Sequence, residues 1–323
     1  MRPTVLACLL ALSCLPAPAQ TAEAIMAKVA ANQDAAQSGR AHFVYVQHAH
    51  IASRKGNTIR CEETTDTRVT PSGDTSTRQL LKLDGRLLKK GAYVHYTELP
   101  KNSSDKNDDI HVTLNDSDDD PMDQDLVENM RNNLTAAHSK DGISPNLFPL
   151  TSEQQALYNY HLLGRAPMNG HDCFHIAFTP NDKNEFGWKG DAYIDATAYQ
   201  PVLIRTALSR KVPLAVRLLL GTNVPGLGFT IIYAPETGAT EPATPSPGAQ
   251  QTEPTPPAPQ PGPVWFPVSF GTEFKLHVLF FLRRDITFNA DNRDFEKTHV
   301  TSHILDDPST SQSSPPDTPR TQP

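Results

Sequence analysis

The residues with the most capacity for chemistry in this 323-residue chain are its twelve histidines and a run of aspartates. His48 and His50 are two apart, so on a strand both point to one face. His171 and His175 are four apart, as are His299 and His303, and by the same parity each pair shares a face. Paired imidazoles become a metal site when further donors join them, as in Cys-x-x-Cys or His-Glu-x-x-His, and neither pattern occurs here. They read as scattered surface groups. The stretch from Lys101 to Asp125 holds Asp116, Asp118, Asp119, Asp120, Asp123 and Asp125. It lacks the central glycine and distal glutamate of a helix-loop-helix calcium site, so it reads as a solvated loop.

Covalent catalysis finds no support either. There is no Gly-x-Ser-x-Gly elbow and no phosphate-cradling glycine loop. Asp191 and Asp195 share a parity, but two carboxylates on one strand read as solvated edge residues rather than a glycosidase pair. The formal net charge of −7 and the absence of a basic stripe argue against a nucleic-acid partner. The expectation is a protein without catalysis, metal or cofactor.

Four cysteines are present, and two fall in the first residues. Arg2, an apolar run from Val5 to Leu12 and the small residues Ala17-Pro18-Ala19 read as a secretory signal over 1–19, cleaved after Ala19. Its removal takes Arg2 with it. The apolar run is too short to span a bilayer. Cys14 follows Ala11-Leu12-Ser13, which inverts the aliphatic and small positions of a lipidation site, so cleavage is favoured over a lipid anchor. Cys61 and Cys173 remain. In an oxidising compartment such a pair is expected to form a disulfide, with two buried thiols as the alternative.

The elements that would position any site are mostly strands. An Ala-rich segment from Ala22 to Gln37, with Ile25, Met26 and Val29 at helical spacing, predicts an amphipathic helix. Strands are predicted at 42–48, 58–69, 79–88 (with a hairpin turn at Asp84-Gly85), 92–97, 158–163 and 173–178. Asn169-Gly170 is the strongest hairpin signal. Gly190 to Asp195, a short turn and Pro201 to Leu208 read as a strand, a corner and a returning strand. Asp125 to Ala137, with Leu126, Val127, Met130 and Leu134 on one face, predicts a second helix, and Thr151 to Gln154 a helical turn with capping chemistry. Val212 to Leu220 is apolar, but Arg217 and the following Pro225, Gly226 and Gly228 argue against a membrane span. It reads as a short helix, buried in the core or in contact with lipid as a lid or foot. Residues 234–263 are rich in Pro, Thr and Gln and read as a flexible insertion. Strands resume at 264–270, 273–281, 283–288 and 295–304, and the tail 306–323 returns to Ser, Pro and Thr. One domain over 20–305 is expected.

The opening His42-Phe43-Val44-Tyr45-Val46-Gln47 after an Ala-rich helix resembles the start of the periplasmic lipoprotein-sorting proteins LolA and LolB and of the RseB/MucB regulators. The passage from Gly164-Arg165 to Cys173, then Gly190-Asp191-Ala192-Tyr193-Ile194-Asp195 and Tyr199-Gln200-Pro201-Val202-Leu203-Ile204-Arg205, is similar to that family's middle strands. The resemblance implies a mainly β fold with some α: a half-open antiparallel β-barrel, one curved sheet with helices plugging its concave face. It implies a periplasmic protein that binds acyl chains of lipoproteins or other lipids in a hydrophobic groove, with no cofactor. A regulatory module that senses lipoproteins and contacts a membrane protein partner is the alternative. The apolar strand and helix positions expected to line the groove or lid are Phe43, Tyr45, Met130, Leu134, Leu218, Leu219, Phe229, Trp265 and Phe280.

Overall fold

A computed structural model of the chain describes residues 20–72, 75–98, 122–134, 150–182, 188–209, 227–236, 263–278 and 282–298. Residues 1–19 with Cys14, Leu218 and Leu219, Phe280, His299 and His303, the bulk of 234–263 and the tail lie outside the described residues. So does most of the aspartate run, and the side chain of Leu134.

The described chain begins with helix α1 (Ala22–Arg40), capped by the Thr21 hydroxyl, which accepts from the Ala24 N–H at 3.2 Å. Ile25, Met26, Val29, Ala30, Gln33, Ala36 and Arg40 form its buried stripe at helical spacing. Strands β1 (Phe43–Lys55), β2 (Thr58–Ser72), β3 (Thr75–Lys89) and β4 (Ala92–Tyr96) follow as a meander. Helix α2 (Met122–Leu134) and the single turn α3 (Ser152–Gln155) precede β5 (Tyr158–Met168), β6 (His171–Pro180), β7 (Trp188–Asp195), β8 (Pro201–Leu208), β9 (Thr230–Pro235), β10 (Trp265–Val278) and β11 (Leu282–Lys297).

The eleven strands among the described residues form one antiparallel sheet in the order β4-β3-β2-β1-β11-β10-β9-β8-β7-β6-β5. Every neighbour is a sequence neighbour except the pair β1 and β11, which joins the chain's two ends at the middle of the sheet. The free edges are β4 and β5, so the curved sheet stays open. It is the half-open barrel form expected from the sequence.

The hairpins obey local chemistry. Asn169 and Gly170 both have positive φ (47° and 84°), the left-handed pair that a two-residue hairpin turn requires. Lys90 and Gly91 repeat it at 49° and 79°, and this is the true turn between β3 and β4. Asp84-Gly85 does not turn. Gly85 sits in mid-strand because the Tyr96 ring lies flat on it, where a Cβ would overlap the ring. The predicted strands at 264–270 and 273–281 are one strand, β10. Those at 283–288 and 295–304 are also one, β11, which ends at Lys297. The polar run Asn289 to Arg293 resembles a loop in sequence. In the sheet it pairs with the equally polar Gln47, His48 and His50 of β1. The predicted insertion is narrower than 234–263: Ala234 and Pro235 pair with Phe266 and Trp265, and the Glu236 N–H donates to Val264 O at 2.8 Å.

Candidate functional site

The two faces of the sheet differ in chemistry. On the convex side, charged groups pair across strands. His48 Nδ1 lies 2.7 Å from Asp66, which also accepts from Arg293 at 3.1 Å. His50 lies 3.7 Å from Glu62, itself paired to Arg86 at 2.6 Å. His175 meets Asp191 at 3.0 Å and stacks on Tyr193. The histidines predicted to share a face at 48 and 50 do so, each engaged by a carboxylate. Asp195 accepts from His171 at 2.7 Å and caps the turn after β7 through the N–H groups of Thr197 and Ala198. Asp191 and Asp195 thus serve separate contacts. Among the described residues no three His, Cys, Asp or Glu side chains converge on a point a metal could occupy. A shallow depression of about 420 Å³ lies over β6–β8, lined by Ala177, Asp191 and Arg205.

The concave side holds two unlike halves. Under α1, Ile25, Met26 and Val29 pack on Phe174, Ile176, Phe178, Ile194, Ile204, Ile231 and Trp265, a filled apolar core. Under α2, Val127 meets Ala49, Ile51, Leu87 and Phe288, while Met122 and Leu126 meet Ile286. That second half also buries charge. Asp123, in the first turn of α2, accepts from Ser53 Oγ at 2.6 Å, and from Arg284 Nε at 2.7 Å and Nη2 at 3.0 Å. Arg60 Nε reaches it at 3.4 Å. Arg284 is 1% exposed and Glu63 0%. Glu63 accepts from Arg131 of α2 and from the Tyr96 hydroxyl at 2.9 Å. Cys61 Sγ and Tyr96 Oη lie in hydrogen-bond contact at 3.5 Å. Burial pushes the Cys61 thiol up to about 12, with its Tyr96 hydrogen bond opposing the shift, and burial pushes the Tyr96 phenol well above its usual range.

The expected disulfide does not form: Cys61 and Cys173 are free and buried. Cys61 lies on β2 under α2, and Cys173 on β6 under α1, in separate clusters on opposite wings of the sheet. No thiols so placed can bond without moving backbone.

Between the halves runs a ladder of aromatic rings. Trp188 packs edge-on to Phe229 at 4.8 Å, Phe229 stacks on Phe270 at 5.1 Å, and Phe270 meets Phe288 edge-on at 5.5 Å. Phe270 packs against both the α1 and the α2 cluster, so it marks the seam between the helices. Trp188 and Phe270 are only half-buried. Phe274 and Leu276 extend the apolar strip along β10 toward Met130, all three half-buried.

The residues expected in the groove divide accordingly. Phe229 is a rung of the ladder, and Met130 borders it from α2. Phe43 and Tyr45 lie instead in a tight aromatic knot with Phe266 and Phe295, at centroid distances of 4.4 to 5.5 Å. Trp265 is buried in the α1 core, with Arg40 donating to its carbonyl at 3.0 Å. Trp188 and the ion-paired Asp123, Glu63 and Arg284 escaped the sequence reading. For Asp123 the signal was present, a carboxylate in the first turn of an amphipathic helix, but the five other aspartates of its run masked it.

No family model and no curated protein matches the chain. Solved structures with a similar course of the chain are an outer membrane lipoprotein-sorting protein domain from Vibrio parahaemolyticus, a DUF1329 family protein from Desulfovibrio piger and a LolA superfamily protein from Nitrosomonas europaea. The first is 12% identical, with a TM-score of 0.35, over 85% of this chain and 93% of its own. The second is 10% identical, with a TM-score of 0.37, over 88% and 95%. The third is 11% identical, with a TM-score of 0.31, over 87% and 94%. At such identities and scores the functional reading rests on the residues of this chain. Among the described residues no helix is long and apolar enough to cross a membrane.

Proposed function

We propose that this is an exported, non-enzymatic carrier, freed of residues 1–19, that holds acyl chains of lipoproteins or other lipids along the concave face. The observation that carries this reading is the aromatic ladder Trp188–Phe229–Phe270–Phe288, with Phe274, Leu276 and Met130 beside it. It lies in the seam between two helices on an open sheet, and its half-buried rings leave apolar surface that a chain of methylenes can cover. Each Å² so removed from water is worth about 25 cal/mol, and each buried methylene about 0.8 kcal/mol. A seam between helices is a usual place for a small apolar ligand. The reading uses no cofactor and no reacting group. The domain is taken as residues 20–305, with the Pro-rich segment looped out between β9 and β10.

The test uses the protein's own fluorescence. The chain has two tryptophans, so Trp265→Phe leaves Trp188 as the reporter. A fatty acid brominated along its chain should quench Trp188 saturably, and Phe270→Asp should abolish that quenching. Absence of saturable quenching overturns the reading.

A further inference from the structure

One concave patch, on β1–β3 at the end where Phe43 and Val69 lie, holds a cation without a carboxylate. Arg78 of β3 is paired in register with Val69 of β2, which faces Tyr45 of β1, and Ser76 is paired with Pro71. Ser76 and Arg78 are two apart and share the concave face with Val69, Tyr45 and Gln47. The Arg78 side chain reaches across β2, and its Nη2 donates to Gln47 Oε1. Gln47 Nε2 donates in turn to Asn292 Oδ1 at 3.1 Å, and Asn292 Nδ2 to Pro267 O at 2.8 Å. This relay fixes the guanidinium.

Two donors are left over. Arg78 Nη1 is buried and makes no hydrogen bond, and neither does Ser76 Oγ, on a residue 4% exposed. Arg60, Arg131 and Arg284 of the same interior each pair with a carboxylate, whereas Arg78 bonds the neutral amide oxygen of Gln47. Burial accordingly pulls the Arg78 pKa below its ordinary value, with Tyr45 opposing. A buried cation and a buried hydroxyl without acceptors cost free energy in the empty protein. An incoming anion would satisfy both.

We infer that Arg78 Nη1 and Ser76 Oγ bind the anionic head, a carboxylate or a phosphate, of the amphiphile whose chain lies on the aromatic ladder. The inference rests on the carrier reading and gives the cargo a polarity. Asn292 stands four residues from Phe288 along β11, about 13 Å at strand spacing, so head site and ladder are within the length of one long acyl chain. The recognised class is anionic single-chain or phosphate-headed lipids, over neutral ones of equal chain length.

The test is competition against a neutral fluorescent probe by oleate, oleoyl lysophosphatidate and oleyl alcohol, on wild type, Arg78→Met and Ser76→Ala. Wild type should prefer at least one anion over the alcohol by about tenfold, the factor expected of a charge-assisted hydrogen bond. Whichever anion is preferred names the head group. Arg78→Met should erase the preference by weakening anion binding far more than alcohol binding, and Ser76→Ala should cut it several-fold. If Arg78→Met does not fold, Ser76→Ala decides. Equal binding of anion and alcohol by wild type, or a preference that survives in the folded variants, overturns the head site and leaves the carrier intact. Failure of all three ligands overturns the carrier itself and the head site with it.

Discussion

At the scale of single residues, the chain Cys61–Tyr96–Glu63–Arg131 shows how a buried group depends on its neighbours. Tyr96 can lie over β3 only because Gly85 has no side chain, and from there its hydroxyl serves Glu63. Gly85→Val should displace the ring and cost about 1–3 kcal/mol, the range for overpacking, read as a lowered urea midpoint. Tyr96→Phe keeps the packing but takes one donor from a buried carboxylate, for a loss of about 1–3 kcal/mol. The thiol gives a pH signature. Its ordinary value is 9.0, and burial raises it to about 12 in the folded protein. Above pH 9 the unfolded chain releases this proton while the folded chain keeps it. Stability is therefore complete below pH 9 and falls as pH rises toward 12. Denaturant midpoints across that window should fall less steeply in Cys61→Ala. Native Cys61 should also resist iodoacetamide at pH 8, since the thiolate is the nucleophile.

At the scale of elements, the two helices are held by different forces. α1 is held by an apolar stripe, the ordinary hydrophobic solution. α2 adds buried ion pairs at both ends of its contact, Asp123 to Arg284 and Arg131 to Glu63. Such pairs contribute little net stability, because desolvation offsets attraction, but removing one partner strands the other charge. Asp123→Ala should cost about 3–5 kcal/mol. The double variant Asp123→Leu with Arg284→Met should recover most of that loss. Thermal melts of Asp123→Ala and the double settle it, and a double no more stable than Asp123→Ala argues against a desolvated pair. The elements themselves were largely legible. α1, α2, the Asn169-Gly170 hairpin and the β7–β8 corner follow from periodicity and turn chemistry. The misplaced turn at Asp84-Gly85 has a local cause: the dipeptide favours a turn, and a ring from the next strand overrode it. The split of β11 has another, since polar residues mid-strand look like a loop until their partner strand is known.

At the scale of the molecule, the sheet is closed in sequence by β1 pairing with β11, a contact between the chain's far ends. Long-range pairing of this kind is expected to make folding slow. The Pro-rich segment leaves and re-enters the sheet at hairpin distance, where Pro235 pairs with Trp265. Replacing residues 238–261 by four Gly and Ser residues should therefore preserve the fold. It should raise stability slightly, by about 1 kcal/mol of loop-closure entropy. A melting point lowered by many degrees would show that the segment packs on the domain. Denatured protein lacking residues 1–19 should titrate two free thiols without prior reduction, as the separation of Cys61 and Cys173 requires.

The sequence by itself determined most of the strands, the two amphipathic helices and the alternation that makes one face of the sheet apolar, because these depend on neighbours within a few residues. Only the tertiary structure decided which apolar residues fill the core and which remain at a seam. It sent Phe43, Tyr45 and Trp265 into packed clusters and left Trp188 and Phe270 half-open. It parted Cys61 from Cys173, and it set Arg78 in the interior without a carboxylate. Those outcomes depend on strand order and on where each helix lands, which no local pattern encodes.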